Sequence, residues 1–146
     1  MINSRSLSDL DPVARAVCQK HIEACAAIGI DLLVTSTYRD NESQEALYQI
    51  GRTPGDVRRT VTNAKAGHSW HNYRCAWDVV PLVGGKCVWN DTVLWEQIIA
   101  CGVAAGAEAG ALWATFKDKP HFQVVPSGLS FSEATDRMEK LGTLFV

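Results

Sequence analysis

The chain has four histidines, and two of them, His71 and His121, lie in polar, turn-rich stretches beside acidic residues, GHSWHNYRCAWD and FKDKPHFQ. Imidazole and carboxylate are the ligand types of catalytic zinc, which takes three protein donors and keeps a fourth position open. His71, Asp78 and His121 would supply that set for one ion. Asp118, separated from His121 by Lys119 and the stiff Pro120, could take a proton from an activated water and pass it to a leaving amine. Arg39 could steady a developing oxyanion or grip a carboxylate.

These groups can act together only if the elements carrying them converge. Residues 31–38 (DLLVTSTY) are apolar and β-branched and read as a strand, with Arg39 where it gives way to a helix over 41–50 capped by Asp40 or Asn41. A second strand is expected over 74–81, and side chains alternate across a sheet. Cys75, Trp77 and Val79 then share one face, and Ala76, Asp78 and Val80 the other. The first set looks like core, which turns Asp78 toward a cleft beside the small Ala76 and turns Cys75 away from it. In a strand over 121–125 the same alternation turns Phe122 and Val124 inward and places His121 and Gln123 opposite. His71 enters from the loop just before the second strand, so two adjacent strands suffice to gather the ligands.

The remaining elements follow from periodicity and caps. Leu10, Val13, Val17, Ile22, Cys25 and Ile28 recur at helical spacing, opened by Ser8 or Asp9 and closed by Gly29. Residues 51–70 hold glycines, a proline and scattered basic side chains without periodicity, which reads as a long loop. A Gly84-Gly85 turn leads to a short strand at 86–89, then a helix runs from Asn90 or Asp91 to about Ala107, and a last helix over 131–141 is capped by Ser130 or Ser132. Helices flanking a small, mainly antiparallel sheet make an α+β fold, and 146 residues are the size of one domain, 1–146.

Composition narrows the functional classes. With 47% hydrophobic and 21% charged residues and a net charge of -2, the chain is not drawn to nucleic acid or an anionic membrane. The opening MINSRSLSDLDP lacks the basic start and apolar run of a secretory signal, and no apolar stretch is long enough to span a bilayer. Synthesis in the cytoplasm without membrane insertion is the expectation, and a monomer is expected. Five cysteines without a CxxC pair argue against a disulfide framework or a thiolate zinc site, and buried free thiols are expected.

The stretches STYRDNESQEALYQIGRT, VTNAKAGHSWHNYRCAWDVVP and WATFKDKPHFQ together resemble the VanY-type (M15) zinc peptidases, most closely phage endolysins that act as L-alanyl-D-glutamate peptidases. The resemblance spans about residues 30–126, and its SxHxxxxAxD and DxPHF patterns are specific in type and order. It implies a hedgehog/DD-peptidase fold and zinc on His71, Asp78 and His121, with Asp118 as acid/base and Arg39 as the site arginine. Ser36, Gln44 and Ser69 match positions near the cleft and are expected to touch substrate. The implied substrate is the stem peptide of bacterial peptidoglycan, cut between L-Ala and D-Glu during phage or prophage lysis, with the enzyme waiting in the host cytoplasm for a membrane pore. D,D- or L,D-carboxypeptidase activity and a non-catalytic zinc module are the alternatives.

Two departures stand out. The family commonly has glycine three residues after the first ligand histidine, where this chain has Arg74. The carboxypeptidase branches place Glu at the acid/base position, and Asp118 favours the endolysin branch. Elsewhere bland readings prevail. His21 is expected to pack in a helix face, His68 to be solvated or on the substrate side, and Arg52, Arg58, Arg59 and Lys65 to form a solvated loop. Trp113 and Phe116 are expected in the core.

Overall fold

Asp11 opens the first long helix, because Pro12 can occupy only a first-turn position, where its missing N–H is not needed. In the computed structural model, which describes residues 1–146, the Asp11 side chain accepts from the Val13 amide and α1 runs over Pro12–Ala27. Ser8 and Asp9, the expected openers, lie instead in a 3₁₀ turn, Leu7–Asp9, capped by Ser6. Ala14, Cys18, His21 and Cys25 recur every three or four residues and form the buried stripe of α1.

The chain continues through β1 (Asp31–Ser36), α2 (Asn41–Gln49), β2 (Ala76–Val83), β3 (Lys86–Cys87), α3 (Thr92–Ala105), β4 (Glu108–Ala109), β5 (His121–Gln123) and α4 (Phe131–Leu141). All pairings are antiparallel, in the order β1-β2-β5-β4, with β3 added at the end of β2. Gly84 and Gly85 both take positive φ, as a two-residue hairpin turn requires, and join β2 to β3. Asp40, Asp91 and Ser130 cap α2, α3 and α4 through side-chain acceptors. No helix is long and apolar enough to cross a membrane.

The expected α+β fold with a small antiparallel sheet is what forms. β2 begins two residues later than expected, and β3 and β5 end two residues earlier. β4 is too short to show in a periodicity and exists only because it pairs with β5.

Trp77, Val79 and Phe122 join Cys18, Cys25, Trp95 and Ile98 in one hydrophobic cluster beneath α1 and α3. His21 is fully buried there, accepting from the Trp77 indole at Nδ1 and donating from Nε2 to the Ile98 carbonyl. Trp77 can only donate, so this chain fixes the His21 tautomer. All five cysteines are free; Cys18, Cys25 and Cys75 are buried, but Cys87 on the edge strand is exposed and Cys101 partly so.

Candidate metal centre and cleft

The face of the sheet opposite that core carries the site. Asp78 and His121 pair directly across β2 and β5. A bulge in β1 after Val34 brings Ser36 opposite Asp78 on the other side. His71 arrives on a 3₁₀ turn, Trp70–Tyr73, whose cap Ser69 accepts from the His71 amide.

His71 Nε2 lies 3.3 Å and His121 Nδ1 3.4 Å from the same atom, Asp78 Oδ1. All three candidate ligand atoms fall within 4.8 Å of one another. Asp78 Oδ1 is nevertheless buried without a hydrogen-bond partner. A buried carboxylate oxygen left without donors costs several kcal/mol unless a cation completes it. Zinc bonds of about 2.0–2.1 Å at tetrahedral angles separate donors by roughly the spacings seen here. The donor set and its geometry therefore fit one divalent ion held by His71, Asp78 and His121.

The ring nitrogens turned away from Asp78 are also engaged. His71 Nδ1 donates to the Thr37 carbonyl (2.8 Å), and His121 Nε2 to Gln123 Oε1 (2.7 Å). Such outer bonds orient a ligand imidazole and fix its tautomer. Burial opposes the charge of Asp78, but the adjacent His71 and His121 rings outweigh it and hold the carboxyl well below its usual range. Burial likewise disfavours a charged His121, yet contact with Asp78 overrides it and raises that ring's pKa.

Asp118 Oδ2 stands 4.0 Å from His121 Nδ1, at the rim of the ligand set. Its backbone is pinned at the neck of a loop: the Asp118 amide donates to the Gly110 carbonyl, and the Asp118 carbonyl accepts from the His121 amide. A Cβ on Gly110 would come within 2.5 Å of the Asp118 oxygen, so only glycine permits this approach. Partial burial raises the Asp118 pKa; the charge of Asp78 adds to this, while His121, His71 and Arg39 oppose it.

Arg39 reaches the cleft from the turn after β1. Its two terminal nitrogens donate to Gln44 Oε1 and Ser36 Oγ, while Nε is buried and unpartnered. Its backbone is stitched to the His71 turn, since the Arg39 amide donates to the His71 carbonyl and Asn72 Nδ2 donates to the Arg39 carbonyl. Burial pushes the guanidinium pKa down, against the pull of Asp78 and Asp118.

A cavity of about 990 Å³ opens over these groups, lined by Arg39, Ser69, His71, Asp78, Asp118 and His121 together with His68, Glu108 and Phe131. Ser36 and Gln44 are buried behind it, and their polar atoms hold Arg39 in place instead of facing a ligand. Ser69 lines the cavity while capping the His71 turn. Trp113 and Phe116, expected in the core, wall this cavity instead, with Phe116 77% exposed. Their loop bulges from the sheet between Gly110 and Asp118, so aromatic type alone did not reveal their side. Arg52 and Arg58 of the basic loop are tied locally, Arg52 over the Tyr48 ring and Arg58 to Asp56. Glu108 and Asn72 were missed: Glu108 stands outside the quoted motifs, and Asn72, although next to His71 in GHSWHNYRCAWD, is not a ligand type and acts through the backbone of Arg39.

A family model described as D-alanyl-D-alanine carboxypeptidase, of the M15 peptidases, matches residues 62–124, which carry all three candidate ligands and Asp118. Over 130 residues the chain is 32% identical to the peptidoglycan L-alanyl-D-glutamate endopeptidase CwlK of Bacillus subtilis, covering 82% of this chain and 76% of that one. The chain belongs to the M15 peptidase family. As an M15 metallopeptidase it also shares its fold with solved structures. The L-Ala D-Glu endopeptidase ChiX of Serratia marcescens matches at TM-score 0.62 and 23% identity, over 85% of this chain and 89% of that one. The vancomycin-resistance D,D-pentapeptidase VanY, solved with Zn(II), matches at TM-score 0.61 and 15% identity, over 92% and 80%.

Proposed function

We propose that the chain is a zinc-dependent peptidoglycan peptidase that hydrolyses the amide bond between L-Ala and D-Glu of the stem peptide. The observation that carries the reading is the orphaned Asp78 Oδ1 between His71 Nε2 and His121 Nδ1, with Asp118 at their rim in an open cleft. Zinc, when bound, supplies a Lewis acid that polarises the carbonyl and makes water nucleophilic near neutral pH. Asp118 receives the proton of the attacking water and returns it to the departing amine, and its raised pKa suits that exchange. Arg39, fixed by Gln44 and Ser36, lines the cleft and sets its positive charge toward the substrate's developing negative charge or a carboxylate.

The endopeptidase reading draws support from the 32% identical relative, which bears that activity in its name. A carboxypeptidase of the same family is the second reading, favoured by the description of the matching family model. Mass spectrometry of digested peptidoglycan separates the two. New N-terminal D-Glu with the peptide's C-terminus intact is expected; release of terminal D-Ala with the L-Ala–D-Glu bond whole would overturn the endopeptidase assignment.

The cellular role we propose is wall degradation in phage or prophage lysis, with the enzyme made in the host cytoplasm and admitted to the wall through a membrane pore. Asp118 at the acid/base position supports the endolysin branch. Expression in a bacterial cytoplasm is expected to lyse cells only when a pore-forming protein is co-expressed; lysis without one refutes the proposed release route.

A further inference from the structure

His71 and His121 are backed by partners of different kinds. Behind His71 stands a main-chain carbonyl, Thr37, which no side-chain change can turn. Behind His121 stands the side-chain amide of Gln123, which can present either its oxygen or its NH2 group to the ring. What decides between them is on the neighbouring strand. Glu108 is the direct cross-strand partner of Gln123, and its Oε2 accepts from Gln123 Nε2.

We propose that Glu108 is a positioning residue for the metal ligand His121, acting through Gln123; this rests on the reading of His71, Asp78 and His121 as the metal site. A carboxylate only accepts, so it draws the amide NH2 group toward itself and leaves Oε1 facing His121. Oε1 in turn holds the ring proton on Nε2. The lone pair is then on Nδ1, the nitrogen 3.4 Å from Asp78 Oδ1. If the amide rotated by half a turn, its oxygen would face the carboxylate and its NH2 the Nε2–H, two repulsive contacts at once. Without Glu108 that rotation is free, and a rotated amide favours the His121 tautomer that carries its proton on Nδ1 and cannot bind metal there. The carboxylate is at the surface, on the wall shared by the two cavities, so its removal leaves the core untouched.

The test is zinc affinity, measured by competition with a chromophoric chelator. Gln123→Ala is expected to weaken zinc binding by about 10–100-fold, and Glu108→Ala by about tenfold. In the Gln123→Ala background, Glu108→Ala should cost nothing further, because the path from Glu108 to His121 is already cut. Glu108→Gln, whose amide oxygen can still accept, should recover part of the loss, and the thermal midpoint of the zinc-free chain should stay at the parental value in both Glu108 variants. Parental zinc affinity in Glu108→Ala, or a loss that persists in full without Gln123, overturns the relay while leaving the metal site standing. A parental chain that binds no zinc overturns both.

Discussion

Asp78 and His121 are direct cross-strand partners, and their facing atoms, Oδ1 and Nδ1, lie 3.4 Å apart with no hydrogen bond made by that oxygen. Asp78 is the sole anion among the three proposed ligands, so Asp78→Asn should keep the shape of the site and lose its metal. Zinc at a thousand times its Kd stabilises a fold by about 4 kcal/mol. A chelator should therefore lower the thermal midpoint of the parental protein and leave that of Asp78→Asn unchanged. Equal chelator responses in the two proteins would remove Asp78 from the ligand set.

Asp118 touches the ligand set only at its rim, 4.0 Å from His121 Nδ1. Removing it should therefore spare the metal and stop the chemistry. Asp118→Ala is expected to bind zinc with parental stoichiometry while its rate on peptidoglycan falls by about 10²–10⁴. Metal analysis paired with a lysis or product assay checks this. A variant that loses zinc along with activity would make Asp118 a ligand, and one that keeps parental activity would end its assignment as acid/base.

His21 gives the fold a pH dependence independent of the site. Burial lowers its pKa, only partly offset by the bond to the Ile98 carbonyl. The folded state thus holds His21 neutral, while the unfolded chain takes up a proton below about pH 6.5. The stability this group contributes is complete above that value and is lost as pH falls through it. His21→Gln can still offer an oxygen to the Trp77 indole but cannot titrate. The parent should be more stable by about 1–2 kcal/mol at pH 7.5, and the gap should narrow toward pH 5 in denaturant titrations of zinc-free protein. A gap that is constant or widens on acidification refutes the assignment.

How far the site was legible follows from which forces place each residue. Alternation along RCAWDVV and HFQVV put Asp78 and His121 on one face and Trp77 and Phe122 on the other, because a pleated strand leaves no choice, and the register Asp78 to His121 then follows from pairing. Arg39 was legible from its place after β1, but the roles of Gln44 and Ser36 were not: matching positions near the cleft gave no sign that both turn toward Arg39. Trp113 and Phe116 misled because burial depends on which way the loop after Gly110 leaves the sheet. Glu108 was invisible because its strand exists only through tertiary pairing with β5.

Arg74 is where this chain departs from the glycine its family usually carries, and it does take the left-handed conformation, φ 62 and ψ 27, closing the turn that carries His71. Such a backbone costs a side chain about 1–2 kcal/mol. Two contacts offset it: the guanidinium lies 3.8 Å from the centre of the Tyr38 ring, and Nη1 donates to the Asp9 carbonyl at 3.0 Å. The Arg74 carbonyl also accepts from the amide of Asp11, the cap of α1, so the turn is tied to the start of that helix whatever the side chain. Arg74→Ala keeps the strain and loses both contacts, for an expected loss of about 1–2 kcal/mol. Arg74→Gly loses the contacts and the strain together and should unfold within about 1 kcal/mol of the parent. Urea unfolding of the two variants decides the matter: if Ala proves as stable as Gly at this position, the left-handed turn carries no strain for the arginine to offset.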